Sequence, residues 1–209
     1  MTSTGSRGAG KTAQRRYSPS VRRAMILQDA KGCLLEKGLD NTTVRDIASW
    51  CGLSPGTLTY HFDSVDDILV EVLAEASAEY LASNLARART GRTASERLTQ
   101  LLTGGLPADD AARRMWRMWV ACWSRAPYDT RFATVHASRH EHERAAIEAL
   151  IAEGVADGDM AVDDVRQAAM ELLGLLDGLG LQAYVSEESM PVEVAARIVA
   201  DRVNDLRAT

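Results

Sequence analysis

The stretch from residue 42 to residue 62, TTVRDIASWCGLSPGTLTYHF, constrains the fold more than any other part of the chain. Thr43 can cap a first short helix, with Asp46 three residues on to bond back in a capping box. Ser54 can cap a second helix, with Pro55 at its first position, where a missing N–H is tolerated. Two helices this short cannot bury enough apolar surface alone. The stretch therefore predicts a helix-turn-helix that packs against helices on both sides.

Composition and periodicity favour an all-helical fold. Of the 209 residues, 46% are hydrophobic and 25% are charged, as in an ordinary globular protein. Aromatic residues are only 5%, and no segment alternates polar and apolar residues with the period of two that a strand requires. We therefore predict an all-α fold with a three-helix N-terminal bundle, a long fourth helix and a C-terminal helical domain.

Charge divides the chain into a basic N-terminal part and an acidic remainder. Residues 1–62 contain 9 Lys and Arg against 4 Asp and Glu, whereas residues 63–209 contain 15 against 25. A helix-turn-helix within a basic segment is typical of a protein that binds nucleic acid at that end and repels it at the other. The second helix of the motif is the predicted DNA-reading element.

The three cysteines, Cys33, Cys51 and Cys122, favour a reduced, cytoplasmic protein. Their number is odd, their spacing is wide, and each lies within a helical pattern, so neither disulfides nor a zinc site is expected. No apolar run approaches the roughly 20 residues of a membrane span, and the N-terminus lacks an apolar signal core. We expect no membrane partner.

The N-terminal arm contains a motif that points to a different function. Residues 5–12, GSRGAGKT, match the phosphate-loop pattern G-x-x-x-x-G-K-[ST], which works only between a buried strand and an amphipathic helix. The flanking residues supply neither, so we interpret this segment as a flexible basic arm whose Arg7, Lys11, Arg15 and Arg16 can contact DNA. A nucleotide-hydrolysing enzyme and a nonspecific DNA-architectural protein remain as alternatives.

Helical periodicity predicts the other elements. Apolar residues at 26, 30, 33 and 34 share one face of a first helix, which begins near residue 20 and ends at Gly38. Ser64 can cap a fourth helix that reaches about residue 87. Further helices are predicted over residues 94–106, 109–125, 128–153, 162–185 and 191–206, the third of them stopping near Gly154.

Residues 42–69, with the helix before them, resemble the DNA-binding domain of the TetR family of bacterial regulators, and SPGTLTYHF at 54–62 resembles its recognition helix. The resemblance implies a double-stranded DNA partner. Gly56 would let the backbone approach DNA closely, and the hydroxyls of Thr57 and Thr59 can bond phosphates or base edges. The predicted DNA contacts are Arg22, Thr42, Thr43, Arg45, Ser54, Pro55, Gly56, Thr57, Thr59, Tyr60 and His61.

The start of the fourth helix departs from the family pattern. The family commonly has a phosphate-binding lysine three residues after the phenylalanine, where this sequence has Val65. Asp63, Asp66 and Asp67 surround that position, so we expect this phosphate contact to be missing.

A row of tryptophans marks the C-terminal part of the chain. Trp116, Trp119 and Trp123 recur at i, i+3 and i+7, which is typical of a core and also of a pocket for soft or cationic organic ligands. This segment, with LLDGLGLQ at 175–182, resembles the regulatory domain of the BetI-like branch of the family. We predict a small-molecule inducer, an organic cation or a hydrophobic compound. Its predicted contacts are Met115, Trp116, Trp119, Trp123, Phe132, His140 and Asp177.

Three histidines, at 136, 140 and 142, raise the question of a metal site. The i, i+4 pair could meet a metal, but the charged residues around it favour a solvated face, with His140 as an alternative hydrogen-bonding residue of the pocket. No nucleophile–base pair or carboxylate dyad is recognisable. We predict no metal, no cofactor and no enzymatic activity.

Glycines interrupt an otherwise apolar helix near the C-terminus, each at a helix-propensity cost of about 1 kcal/mol relative to Ala. Close helix–helix approach at Gly174, Gly178 and Gly180 would offset that cost. Two helices from each subunit, this one and the last, are therefore predicted to form a four-helix homodimer interface. Its predicted contacts are Gly174, Gly178, Leu181, Val194 and Ile198.

These expectations combine into a ligand-responsive transcriptional regulator. We predict a repressor that binds a palindromic operator as a dimer and is released by its inducer. The predicted domains are a flexible basic arm over residues 1–18, a helix-turn-helix DNA-binding domain over 19–65, and a ligand-binding and dimerisation domain over 66–209.

Overall fold

The computed structural model describes residues 18–208, and within them the chain forms nine α-helices and no strand, which confirms the all-α prediction. The helices are α1 (Pro19–Lys37), α2 (Val44–Trp50), α3 (Pro55–His61), α4 (Val65–Ala88), α5 (Ala94–Thr103), α6 (Asp110–Arg125), α7 (Thr130–Ala156), α8 (Val165–Val185) and α9 (Val192–Asn204). The predicted arm residues 1–17 and their phosphate-loop motif lie outside the described residues. None of the described helices is both long and apolar enough to cross a bilayer.

Side-chain caps begin the N-terminal helices where the sequence places them. The hydroxyl of Thr43 accepts the N–H of Asp46, and the Asp46 carboxylate accepts the N–H of Thr43 at 2.9 Å, which completes the predicted capping box. Ser54 caps α3 immediately before Pro55, and Ser64 caps α4. Each cap satisfies an N–H group that a helix terminus leaves open, so the starts of α2, α3 and α4 follow from local chemistry.

The predicted helix stop near Gly154 is wrong. α7 continues to Ala156, and the chain turns at Gly158, where φ is 72°. Gly154 is buried in the last part of the helix, and a Cβ there would lie 2.6 Å from the Sδ of Met160. The absent side chain lets Met160 pack against the helix, so this glycine meets a packing requirement.

The apolar core runs from the N-terminal bundle into the C-terminal helices. One buried cluster contains residues of the first four helices, of α6 and of the start of α7, among them Leu34, Ile47 and Met118. A second joins α5, α7, α8 and α9 with the end of α4. Because α4 contributes Ile68 to the first cluster and Ala88 to the second, it spans the junction as the predicted long linking helix.

All three cysteines are free thiols, as the sequence predicts. Burial raises the pKa of Cys51 and of Cys122 to about 11, so both are protonated at neutral pH. A buried, protonated thiol is a small apolar side chain and a poor nucleophile.

An arginine of α6 ties the C-terminal helices to the end of α1. The guanidinium of Arg117 donates to the carbonyl oxygens of Leu35 and Glu36, the latter at 3.1 Å. These carbonyls belong to the last turn of α1 and lack partners within the helix, so a cation is favourable there. The stem of Arg117 passes Gly38, 3.5 Å from where a Cβ would stand. Arg117 thus links α6 directly to the end of α1.

Gly180 supplies a test of this packing, because a Cβ there would lie 2.2 Å from Cζ2 of Trp116. Gly180→Ala should lower the free energy of unfolding by about 1–3 kcal/mol through overpacking. Gly56→Ala, inside α3, would meet only the hydroxyl oxygen of Ser54 at 3.9 Å and should instead raise stability by up to about 1 kcal/mol. Urea unfolding at fixed protein concentration measures both, and equal values for the two variants would contradict the packing described.

Candidate DNA-binding surface and inner cavity

α3 presents a polar surface while an apolar residue holds it in place. Leu58 is buried beneath the helix, whereas Thr59 is exposed and Tyr60 is 78% exposed. The capping hydroxyl of Ser54 lies 3.0 Å from the hydroxyl of Thr57. Small hydroxyls and a phenol on a helix anchored this way can bond phosphates and base edges in a groove.

Two aromatic rings end α3 as a pair. Tyr60 and His61 lie edge to face with ring centroids 5.0 Å apart, and His61 is half-buried. The contact places the phenol of Tyr60 at the surface beside the imidazole of His61.

The predicted contacts outside α3 divide between surface and interior. Thr43 and Arg45 are exposed at the start of α2, and Arg22 is half-buried near the start of α1. Thr42 is only 7% exposed, and its hydroxyl donates to the carbonyl oxygen of Gly38 at 2.7 Å. This bond closes the turn after α1, so the structure corrects Thr42 from a surface contact to an interior one.

The acidic start of α4 is neutralised from the C-terminal side. Asp66 lies 3.3 Å from Arg125 of α6, and Asp67 lies 2.7 Å from Arg131 of α7. Val65 occupies the first position of α4 and offers no cation to a phosphate. The acidic residues of this segment therefore join the two parts of the molecule.

An inner cavity of about 30 Å³ lies among α4, α5, α6, α7 and α8, room for about one water molecule and no organic ligand. Trp116 is 1% exposed and Trp119 is 4% exposed, so these two indoles are core residues that also form its wall. The aromatic and polar lining residues are Tyr80, Asn84, Trp116, Trp119, Arg139, Glu143 and Asp177. The core and the pocket interpretations thus both apply to Trp116 and Trp119, whereas Trp123 is half-buried and does not line the cavity.

Hydrogen bonds fix the orientation of the aromatic rings. Trp116 donates its ring N–H to the carbonyl oxygen of Gly105 at 2.8 Å, and Trp119 donates to the hydroxyl of Ser77 at 3.1 Å. The hydroxyl of Tyr80 donates to a carbonyl oxygen of the loop after α5 at 3.0 Å. With their polar edges satisfied, the rings keep their faces for apolar and cationic contacts.

A charged side chain that the sequence analysis missed lies against these rings. Arg139 is 8% exposed, and its guanidinium carbon lies 4.6 Å from the ring centroid of Trp119 and 5.6 Å from that of Trp123. It donates to Glu143 at 2.8 Å and to Asp177 at 3.3 Å. A signal was present, because positions 132, 135, 139, 143, 147 and 151 form a single stripe of α7 at helical spacing.

The two carboxylates beside Arg139 differ in their acidity. Burial raises the pKa of Glu143 above its ordinary value, although Arg139 opposes the shift. Burial acts on Asp177 in the same direction, but His140 and Arg139 outweigh it and lower the pKa of Asp177. Asp177 therefore carries a full negative charge at neutral pH, and Glu143 is the more readily protonated of the two.

The histidines of α7 lie partly inside the molecule. The rings of His136 and His140 lie tilted by 56° with centroids 4.2 Å apart, and the rings of His136 and Trp123 lie edge to face. Nε2 of His140 lies 3.0 Å from a carboxylate oxygen of Asp177. The predicted solvated face is correct for His142 and wrong for His136 and His140, which are half-buried.

Two predicted ligand contacts belong to the core. Met115 is 5% exposed and Phe132 is 1% exposed, and both pack in the cluster that α6 and α7 share with the N-terminal bundle. Neither lines the inner cavity. The apolar spacing of both residues fits a core and a pocket equally well. Their burial in the continuous core shows that they are core residues.

A wider groove of about 440 Å³ opens between α4 and α7. Its wall is mostly Ala, Leu and Val, with polar groups from Ser77, Ser138 and His142. Arg139 and Glu143 line both this groove and the inner cavity, so they form part of the partition between the two spaces.

The predicted dimer contacts lie at or near the surface of the single chain. Gly174 and Gly178 are exposed, with no atom within 4 Å of where a Cβ would stand. Ile198 is 36% exposed, and Leu181 and Val194 are half-buried. A flat surface of this kind on α8 and α9 is available to another molecule.

The environment of His136 predicts how stability depends on pH. Burial, followed by the neighbouring His140, lowers the pKa of His136. An unfolded histidine titrates near 6.5, so between the lowered value and about 6.5 the unfolded state binds more protons and stability rises with pH, by at most about 1.4 kcal/mol per unit. Urea unfolding between about pH 5 and 7.5 should show this slope flattened in His136→Gln. The exposed-residue control His142→Gln should retain it, and an unchanged slope in His136→Gln would refute the assignment.

Comparison with known proteins finds matches over both parts of the chain. The family described as "Bacterial regulatory proteins, tetR family" matches residues 26–72, and "BetI-type transcriptional repressor, C-terminal" matches residues 94–208. The HTH-type transcriptional regulator BetI of Burkholderia ambifaria is 25% identical over 195 residues, which are 90% of this chain and 95% of that protein.

Solved structures extend the similarity to the whole architecture. A structure from Saccharomonospora viridis in complex with choline is 27% identical with a TM-score of 0.79, covering 91% of this chain and 100% of that chain. A TetR-family regulator from Cytophaga hutchinsonii also has a TM-score of 0.79, covering 93% of this chain and 100% of that chain, but at 13% identity it supports the fold alone. The chain belongs to the TetR family of bacterial transcriptional regulators, proteins that are not enzymes, and its C-terminal domain is of the BetI type.

Proposed function

We propose that this regulator is a homodimeric repressor that binds a palindromic operator and releases it when a small organic molecule occupies the C-terminal domain. The observation that carries the proposal is the position of α6. Its tryptophans form the wall of the inner cavity, while its Arg117 binds the end of α1 in the DNA-binding bundle. The same helix thus contacts both the inner cavity, which is the candidate ligand site, and the helices that carry the candidate DNA-binding surface.

The exposed face of α8 supports the dimer. Met170 is 56% exposed and Val185 is 70% exposed, on a helix whose other apolar side chains are buried or half-buried. Between them Gly174 and Gly178 have no side chain, so a partner helix could approach the backbone closely. An exposed apolar patch of this kind could pair with the same patch of a second copy, as in a two-fold dimer interface.

A dimer would place two copies of α3 on one face of a DNA duplex. Two recognition helices read a palindrome when they stand one helical turn, about 34–36 Å, or a multiple of it apart. The exposed hydroxyls of α3 would then supply base and phosphate contacts, and the exposed Arg45 and the half-buried Arg22 would supply backbone contacts. The basic N-terminal part of the chain supports the same orientation on DNA.

A ligand would release the operator by changing the distance between the two copies of α3 in the dimer. A molecule wedged against Trp116 and Trp119 would displace α6, and Arg117 would transmit the displacement to α1. Shifting a population from 1:99 to 99:1 requires about 10⁴-fold preference for the released state, or about 5.5 kcal/mol. The chain's match to a BetI-type repressor pattern and the choline complex of the Saccharomonospora viridis structure support repression and a small organic ligand.

Membership of the family sets aside the nucleotide-hydrolysing alternative, since these proteins are regulators and not enzymes. The nonspecific DNA-architectural alternative differs in one observable. An architectural protein would bind DNA fragments with no preferred palindrome, whereas an operator-binding dimer selects one from a random pool.

The dimer is tested by filling the flat face of α8. Gly178→Phe should yield monomers at micromolar concentration, because the new ring would hold the partner helix away. Ala86→Phe, at an exposed position of α4, is the control and should stay dimeric. Light scattering measures the mass of each, and a wild-type monomer at the same concentration would end the dimer proposal.

Two substitutions test whether α3 is the helix that contacts the operator. Thr59→Ala should abolish part of the penalty, normally about 1–3 kcal/mol per mismatched base pair, at particular operator positions. Tyr60→Ala should weaken binding to all sequences alike if the phenol contacts phosphate. Selection from random DNA followed by fluorescence anisotropy measures both, with Thr134→Ala on α7 as the control. If neither α3 variant differs from wild type, α3 is not the reading helix.

A further inference from the structure

Large apolar side chains lie exposed on the outer side of the DNA-binding bundle. Val21 and Met25 of α1 are exposed, and so is Trp50, the last residue of α2, by 49% of its surface. Single apolar residues scattered over a surface are ordinary, but a contiguous patch marks a site of interaction. The question is therefore whether these three side chains form one surface.

Gly32 of α1 connects them. A Cβ at Gly32 would lie 3.0 Å from Nε1 of Trp50, so the indole lies directly on the backbone of α1. Positions 21, 25, 28 and 32 share one face of the helix, because each lies three or four residues from the next. Trp50 therefore extends the exposed face that begins at Val21. We call this surface, made of Val21, Met25, Gln28, Gly32 and Trp50, the α1 seam.

The spacing of the α1 seam is that of helices that pair. Steps of four, three and four residues are the alternation of the a and d positions in a heptad, along which one helix packs against another. α1 buries a different stripe, which includes Ile26, Ala30 and Cys33, in the core of its own bundle. The seam is thus a second apolar face of α1, and its spacing fits a helix from another molecule.

Charge favours a second copy of α1 in antiparallel orientation. Arg22 and Asp29 are seven residues apart, so they border the same side of the seam near its two ends. When two copies pair about a two-fold axis, Arg22 of one lies beside Asp29 of the other, and opposite charges meet twice. A parallel pair would instead set each charge against its own kind.

The α1 seam is too small to hold two molecules together in solution. Its three partly exposed large side chains fall far short of the roughly 800 Å² per partner of a stable interface. The seam begins beside Arg22, a proposed DNA contact, so DNA would hold two copies near each other and raise their effective concentration. A contact of this size can act under that condition.

We propose that the α1 seam joins two dimers bound side by side on one DNA molecule, through antiparallel contact of their α1 helices, so that the second dimer binds more tightly than the first. The proposal rests on the proposed function, because it needs a dimer that binds an operator. It adds a contact between dimers that is separate from the α8 and α9 surface within each dimer.

DNA fragments that carry two operators test this contact. The operator selected from the random pool is placed twice on one fragment, beginning at the shortest spacing at which both sites can be filled. The spacing is then increased one base pair at a time over two helical turns of about 10 base pairs each. At the favoured spacing, wild type should fill the second site at least about fivefold more tightly than a single site, measured by quantitative footprinting.

Two variants remove the seam, and each has a matched control. Trp50→Ala deletes the indole, and Met25→Glu sets like charges against each other near the two-fold axis. Both should fill the two sites independently, within about twofold, while affinity for a single operator stays within about twofold of wild type. Tyr128→Ala and Val155→Glu make the same kinds of change at exposed positions elsewhere and should keep the cooperativity of wild type.

The outcomes separate this inference from the proposed function. Independent filling by wild type at every spacing overturns the inference, and so does equal cooperativity in wild type and both seam variants. Loss of cooperativity in a chain that lacks residues 1–16 but keeps the seam would assign the contact to the N-terminal arm, which also overturns it. In each of these cases binding to a single operator leaves the proposed function standing, whereas failure of wild type to bind a single operator ends both.

Discussion

The packing of α6 between the DNA-binding bundle and the C-terminal helices is the interaction on which the rest of the structure depends. Its buried indoles support α4, α7 and α8, and its arginines hold the end of α1 and the start of α4. These contacts are short and directional on both sides, so α6 cannot shift without changing both. Under the proposed function, a change at the indoles would reach the helices that carry the DNA-binding surface through α6.

Arg139, Glu143 and Asp177 place three charged groups in the core beside the indoles. Burying charges costs free energy that well-packed apolar residues of the same volume would avoid, so such a cluster is weak evidence for stability. The two ion pairs of Arg139, with Glu143 and Asp177, keep each of these charges paired within the core. The aromatic faces around them add attraction for a cation without adding a negative charge.

The N-terminal bundle shows the opposite use of charge. Asp66 and Asp67 at the start of α4 bind arginines of the C-terminal helices, where a phosphate contact would otherwise be expected. The DNA contacts that we propose therefore come from α3, from the start of α2 and from Arg22 of α1. At the start of α4, the chain therefore has ion pairs that connect the two parts of the molecule, and it lacks the cation that would bind a phosphate.

Local signals in the sequence determined the helices and the helix-turn-helix, because a cap such as Ser54, a capping box such as Thr43 with Asp46, and a 3.6-residue period act within a few residues of themselves. They also located the tryptophan row and the exposed surface of α3. Only the tertiary structure decided that Thr42 turns inward, that Gly154 and Gly180 make room for neighbouring side chains, and that Arg139 lies buried against two indoles. A charged residue on an amphipathic helix reads as solvated until its partners, here 38 residues away in the sequence at Asp177, are brought beside it by the fold.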